Sequence, residues 1–190
     1  FRGPRLPDQI LLLDRSSSTG QSAGTQSRLD TERRAASFWV SLLGTGIGGA
    51  IGSMASDGDD DAAIEIPLDP VSDAQRTALR VAIAAIGPPQ GTTPLGDALA
   101  LAAREFAANG AAEQERHVVL LGGGGQGGGD AYAAVRTELL DSGARVHAIA
   151  LGEDADQGLL QEIAFETGGS YDFVPVPIPS QGFANALADA

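Results

Sequence analysis

The sequence predicts an α/β fold: a mostly parallel sheet of six strands with one antiparallel edge strand and helices on both faces. Three observations predict it. "QILLL" (9–13), "HVVLL" (117–121) and "RVHAIAL" (145–151) are short apolar runs bounded by polar or turn residues, as in strands buried on both faces. Segments with helical spacing of apolar residues alternate with these runs, which calls for crossover connections and parallel pairing. Finally, the acidic "SDGDDD" (56–61) separates two strand-like segments closely enough to be a hairpin loop. The second of those strands, 62–68, should then be the antiparallel edge.

Taken in order, the first strand ends in Asp14 and opens into the polar loop "RSSSTGQSAGTQS". Residues 28–43 place Leu29, Ala36, Trp39, Val40 and Leu43 at helical spacing, an amphipathic helix. Phe38 and Trp39 read as core or half-buried packing there. "GTGIGGAIGSMASD" carries Ile47, Ile51 and Met54 as strand signals, weakened by five glycines. "AAIEIPL" alternates as an edge strand does. Residues 72–85 read as a helix capped by Ser72 or Asp73, with Leu79, Val81, Ile83 and Ile86 inside. After the break "GPPQGTT", a second helix starts with Pro94 in its first turn and stops before Gly110. Asp130 is placed to cap a helix running to Ser142. Residues 156–167 form another helix ended by "GG". "SYDFV" is the last strand, and a short helix follows from Gln181.

With 190 residues and a hydrophobic fraction of 43%, the chain can bury a core, and it reads as one domain over 1–190. It opens at Phe1 and reaches a strand almost at once, which fits a domain cut from a longer protein or a mature product. No signal peptide or membrane-spanning run is read in it. The net charge of −13 repels nucleic acid and anionic lipid, so neither nucleic-acid binding nor membrane insertion is expected. All 12 basic residues are Arg, which removes lysine-dependent chemistry, and the absence of Cys removes thiolate catalysis.

Two motifs carry candidate chemistry. Asp14, Ser16 and Ser18 form D-x-S-x-S directly after a buried strand, where three side chains can converge above the sheet edge. Carboxylate and hydroxyl oxygens are hard ligands suited to Mg²⁺, Mn²⁺ or Ca²⁺. The same residues also suit a loop that satisfies its own backbone. In "GTTPLGDAL", Thr93 offers a further hydroxyl; it equally suits the helix cap before Pro94, and Asp97 suits the helix dipole. A third pattern, Gly122, Gly124 and Gly127 as G-x-G-x-x-G, matches a dinucleotide fingerprint. Its acidic partners Glu153 and Asp154 come about 30 residues on rather than about 20. "SDGDDD" lacks calcium-loop spacing, and His117 and His147 form no pair at metal spacing, so both histidines read as structural.

Together, D-x-S-x-S and "GTTPLGDAL", with "RLDTERRAASFWVSLL", "RVHAIALGEDAD" and "LLQEIAFETGGSYDFV", make the chain resemble the von Willebrand factor A family over nearly its whole length. It looks most like bacterial members and those of calcium-activated chloride-channel-regulator-like proteins. The resemblance implies a six-stranded, doubly wound, Rossmann-like sheet with a metal-ion-dependent adhesion site at its C-terminal edge. It implies Ser16, Ser18 and Thr93 as hydroxyl ligands and Asp14 as a carboxylate acting through water. The divalent cation would be Mg²⁺ first, with Mn²⁺ or Ca²⁺ as alternatives. The implied partner is a protein supplying an acidic side chain, together with other domains of a parent protein, in an extracellular or cell-surface setting and without catalysis.

The family's Thr-Asp-Gly after the fourth strand is replaced by Gly122, Gly123 and Gly124. Losing that carboxylate removes on the order of a few kcal/mol of attraction for a dication, which predicts a weak or empty site. Ser17 and Thr19 stand where the family has Gly and Met, and "GGAIGSMAS" replaces a Val- and Phe-rich second strand, whose pairing is expected to be looser. Two alternatives remain: a structural or interaction module with a defunct metal site and, more remotely, a nucleotide-binding enzyme.

Overall fold

The computed structural model describes residues 7–22, 26–56, 62–123, 125, 127 and 131–175. The strands are β1 (Asp8–Asp14), β2 (Gly48–Met54), β3 (Ala62–Pro70), β4 (Arg116–Gly122), β5 (Ala144–Leu151) and β6 (Tyr171–Val174). The helices are α1 (Arg28–Leu42), α2 (Asp73–Ala85), α3 (Leu95–Asn109), α4 (Tyr132–Asp141) and α5 (Gln157–Thr167). A single sheet runs in the order β3-β2-β1-β4-β5-β6. Every pair is parallel except β2 with β3, so β3 is the antiparallel edge that the hairpin implied. Its alternating exposure fits a strand with one covered face.

The sheet separates two cores. Ile10, Leu12, Val118 and Leu120 face Leu99 and Phe106 of α3, Leu139 of α4 and Ile163 of α5. Leu11, Leu13, Val119 and Leu121 face Trp39 and Val40 of α1 and Leu79 and Ile83 of α2. Strand side chains alternate between these layers, which is why the central runs are apolar at every position.

Local chemistry sets the helix ends. Ser27 and Asp30 form a reciprocal capping box that starts α1. Ser72 accepts from the backbone N–H of Gln75, and Asp156 from that of Leu159. Gly168 adopts the left-handed conformation (φ 71°) that closes α5. Pro94 is the N-cap of α3, one position earlier than expected. α4 begins after Ala131; Asp130, most of "SDGDDD" and the helix expected from Gln181 lie outside the described residues.

One expectation is corrected. Val81, expected inside α2, is exposed, because two residues from Leu79 is a rotation of about 200°. Phe38 is 41% exposed, whereas Trp39 is buried and donates its indole N–H to Gln9 Oε1 at 3.0 Å. The glycine-rich β2 is buried along its whole length, between β1 and β3. A Cβ on Gly52 would lie 2.9 Å from both the Ala63 carbonyl oxygen and Leu12 Cδ2, and one on Gly49 would lie 2.9 Å from Val71 Cγ2. The glycines allow close approach, and the irregularity they bring is confined to register shifts around Ile51.

Candidate metal-ion site

β1 carries Asp14 to the C-terminal edge of the sheet, in register with Met54 of β2. Its side chain is fully buried. The chain then turns back on it: the Ser16 backbone N–H donates to Asp14 Oδ1 at 2.8 Å, an Asx-type turn. A short 3₁₀ turn, Ser17–Gly20, follows, and Thr19 Oγ1 donates to the Ser16 carbonyl at 2.7 Å. This turn brings Ser16 Oγ and Ser18 Oγ to 3.0 Å of each other.

The loop before α3 is fastened to the same place. Ser17 N–H donates to Gly91 O, Gln90 N–H to Arg15 O, and Ser56 and Thr92 exchange backbone hydrogen bonds. Thr93, buried, donates its hydroxyl to Asp14 Oδ2 at 3.3 Å. It does not cap α3, whose N-cap Pro94 carries no side-chain bond. Asp14, Ser16, Ser18 and Thr93 are thus brought together, although Thr93 is 79 residues from Asp14.

The β4 loop closes the arrangement. A Cβ on Gly122 would lie 2.5 Å from Asp14 Cβ, so only glycine fits that approach. The Gly123 backbone N–H donates to the Asp14 carboxyl. A Cβ built on Gly123 meets nothing within 4 Å, so the position is open to a side chain. Gly125 and Gly127 line a cavity of about 260 Å³ together with Ser16, Ser18 and Gly91–Thr93. Gly127 packs against Thr92 and donates to the Thr93 carbonyl at 3.2 Å. Gly125 and Gly127 therefore form part of the wall of this cavity.

Burial pushes the Asp14 carboxyl above its ordinary range, against the opposing hydrogen bonds from Ser16, Gly123 and Thr93. Beside it lies a residue that the motifs did not single out. Glu32 of α1 is fully buried, and among the described residues neither of its oxygens has a hydrogen-bond partner. Burial, then the neighbouring Asp14, push its carboxyl well up; the Asp14 backbone N–H and then the Arg28 charge act the other way. A signal was available, since Glu32 falls on the apolar stripe Leu29–Ala36–Trp39–Val40 rather than opposite it.

Among the described residues no three acidic or histidine side chains gather to form a metal cage. A cation here would rest on hydroxyls over Asp14. The donor set, hydroxyl and carboxylate oxygens, suits a hard divalent cation. Ser16 Oγ and Ser18 Oγ hydrogen-bond to each other at 3.0 Å.

The other candidates fare differently. Asp154, one acidic partner of the glycine fingerprint, is held by Arg28 at 2.7 Å and 3.0 Å, which lowers its carboxyl pKa. His117 and His147 form a hydrogen-bonded pair: Nδ1 of His117 lies 2.9 Å from Nε2 of His147, with nearly parallel rings. The sheet register sets His147 opposite Val119, which puts His117 diagonally beside it on the same face. The pair lies toward the N-terminal ends of β4 and β5, and Glu115 and Ser170 hold its outer nitrogens.

A family model described as "von Willebrand factor type A domain" matches residues 54–173. That segment includes Thr93 and the glycine loop and begins after Asp14, Ser16 and Ser18. No curated protein matches the sequence significantly. Among solved structures, BatB from Bacteroides thetaiotaomicron superposes with a TM-score of 0.77 at 22% identity, covering 96% of each chain. A von Willebrand factor type A protein from Catenulispora acidiphila gives 0.79 at 18% identity, over 97% of this chain and 42% of that one. Proximal thread matrix protein 1 of the mussel byssus, solved with zinc in its MIDAS motif, gives 0.76 at 17% identity, over 97% and 46%. At these identities the likeness is one of fold.

Proposed function

The chain belongs to the von Willebrand factor type A domain family, and from that premise we propose that it is a non-enzymatic protein-binding domain working through a divalent cation. Ser16, Ser18 and Thr93 hold the cation from their hydroxyls, Asp14 supports it from beneath, and a partner's Asp or Glu completes the shell. Bound there, the cation supplies a positive centre for that acidic side chain. The observation carrying this reading is the pair of serine oxygens 3.0 Å apart at the mouth of the cavity, over a buried carboxylate. Hard oxygen ligands of this kind suit Mg²⁺ or Mn²⁺, with Ca²⁺ as the alternative.

Calorimetric titration of the chain with MgCl₂ or MnCl₂ tests it. Saturable heat is expected, with a rise in melting temperature, both lost in Ser16→Ala/Ser18→Ala. No heat and no thermal shift at millimolar metal would refute cation binding.

A second reading, an interaction module without a working metal site, draws on one observation. Asp14 is satisfied internally by Ser16, Gly123 and Thr93, so the loops can hold their shape without an ion. Under this reading partner binding survives EDTA, whereas under the first it does not.

A further inference from the structure

We propose that the His117–His147 pair is a two-stage proton latch on the β5–β6 side of the sheet. It takes a first proton by relaying it from one ring to the other with every hydrogen bond kept, and a second proton breaks it. The inference is independent of the cation-binding reading.

Four polar side chains stand in a row across the N-terminal ends of β4, β5 and β6. Glu115 Oε2 lies 3.3 Å from His117 Nε2, and His117 Nδ1 lies 2.9 Å from His147 Nε2. His147 Nδ1 lies 2.9 Å from Ser170 Oγ, just before β6. The rings are inclined by only 4°, and His147 is buried. Each of the four ring nitrogens has a partner, so the ends of the row decide where the protons lie. An ionised carboxylate only accepts, so His117 Nε2 carries a proton and donates to Glu115. In the neutral pair His117 Nδ1 then accepts from His147 Nε2–H, and His147 Nδ1 accepts from the Ser170 hydroxyl. The opposite direction would set a lone pair of His117 against the carboxylate.

A first proton enters at His147 Nδ1. The Ser170 hydroxyl turns from donor to acceptor, and the proton on His147 Nε2 crosses to His117 Nδ1. The charge comes to rest on His117 beside Glu115, and His147 stays neutral in its other tautomer. A second proton finds no such place. It would set N–H against N–H at the 2.9 Å contact, with two cations adjoining and Arg145 nearby, so the contact breaks. Burial, then His117 and Arg145, hold His147 down at about 4.

The groups facing the pair among the described residues come from four strands. Gln9 of β1 is in register with His117 and engaged by Trp39 of α1. Arg145 of β5 is in register with His117 and lies 3.9 Å from Glu115, and Asp172 follows Ser170 on the same face of β6. What the pair fastens is the turn from α5 into β6. The Ala148 N–H donates to the Ser170 carbonyl at 2.8 Å, and the Val146 N–H to Thr167 Oγ1 at 3.0 Å.

Long-range ¹H–¹⁵N NMR of the ¹⁵N-labelled chain, from about pH 8 to about pH 3, reads the proton on each imidazole nitrogen. At the upper end both rings should be Nε2–H tautomers. Over the first step His117 should become the imidazolium while His147 switches to the Nδ1–H tautomer. Over the second, His147 should become an imidazolium as well. Glu115→Gln, at a half-exposed position, should move the first step to lower pH by about half a unit. Amide exchange at Ala148, corrected for its intrinsic rate, should speed up by about tenfold or more across the second step and not across the first. The inference would be overturned if His147 kept the Nε2–H tautomer through the first step, or if both rings titrated together. A first step that Glu115→Gln leaves in place would also overturn it, as would Ala148 exchange insensitive to the second step.

Discussion

Gly123→Asp is the most direct perturbation of the site, because the space for it is already there. A Cβ at this position meets nothing within 4 Å, and the backbone lies outside the left-handed region, so the substitution adds neither clash nor strain. What it adds is one carboxylate beside the Ser16–Ser18–Thr93 hydroxyls. At about 4 Å from a dication and an effective dielectric of about 20, that charge is attracted by on the order of 8 kcal/mol. Desolvation, displaced water and repulsion from Asp14 consume most of it. If about 2 kcal/mol survives, Mn²⁺ binds about 30-fold tighter. At saturating metal the same 2 kcal/mol raises the melting temperature of a domain this size by roughly 4–8 °C beyond the unsubstituted chain. Without metal the added charge sits near two acidic groups, so stability should be equal or slightly lower. Calorimetry and thermal melts with and without MnCl₂ decide the matter. An Mn²⁺ affinity unchanged within threefold would show that residue 123 does not face the cation, and would refute the placement of the β4 loop at this site.

The remaining predictions concern stability. His147 lies well below its ordinary value, about 4 in place of 6.5, because burial and then the neighbouring His117 and Arg145 oppose its charging. The unfolded chain therefore binds more protons between pH 6.5 and 4, and stability falls as pH drops through that window, by at most about 3 kcal/mol. Urea melts across this range should show a shallower slope for His147→Asn; equal slopes would exclude the histidine as the source. Gly52→Ala should cost about 1–3 kcal/mol in urea unfolding, because its Cβ meets backbone and Leu12 at 2.9 Å. Gly123→Ala, with open space, should be neutral or slightly stabilising. Ser27→Ala should cost about 1 kcal/mol by removing the side-chain half of the α1 capping box, while the residue-27 backbone N–H can still donate to Asp30, and Ser27→Asn should restore most of it.

Most of the fold was legible because it is written in burial. β1, β4 and β5 are covered on both faces, so their sequences are apolar without alternation. β3 alternates because it is an edge. β2 was obscure for the opposite reason: its packing partners come so close that glycine replaces the side chains that would announce a strand. The His117–His147 contact was illegible because it depends on the register between two strands, which no local pattern encodes. Val81 was misplaced although helical arithmetic alone sets it opposite Leu79.

The site was half legible, and the missing half has a physical cause. Asp14, Ser16 and Ser18 lie within five residues, so their convergence follows from one turn. Thr93 could be read as a helix cap or as a donor to the site, and geometry settles where its hydroxyl goes: Pro94 occupies the N-cap, and Thr93 turns to Asp14. Glu32 was not legible because charge on an amphipathic helix ordinarily faces solvent. Its position on the apolar stripe says otherwise, and its carboxyl is fully buried near Asp14. With residue 123 considered alone, the glycine loop removes a charge and the site looks disabled. Asp14 and Glu32 are both withdrawn from solvent, so a partner's acidic side chain approaching through the cavity would meet hydroxyls and glycine backbone before it met a competing carboxylate.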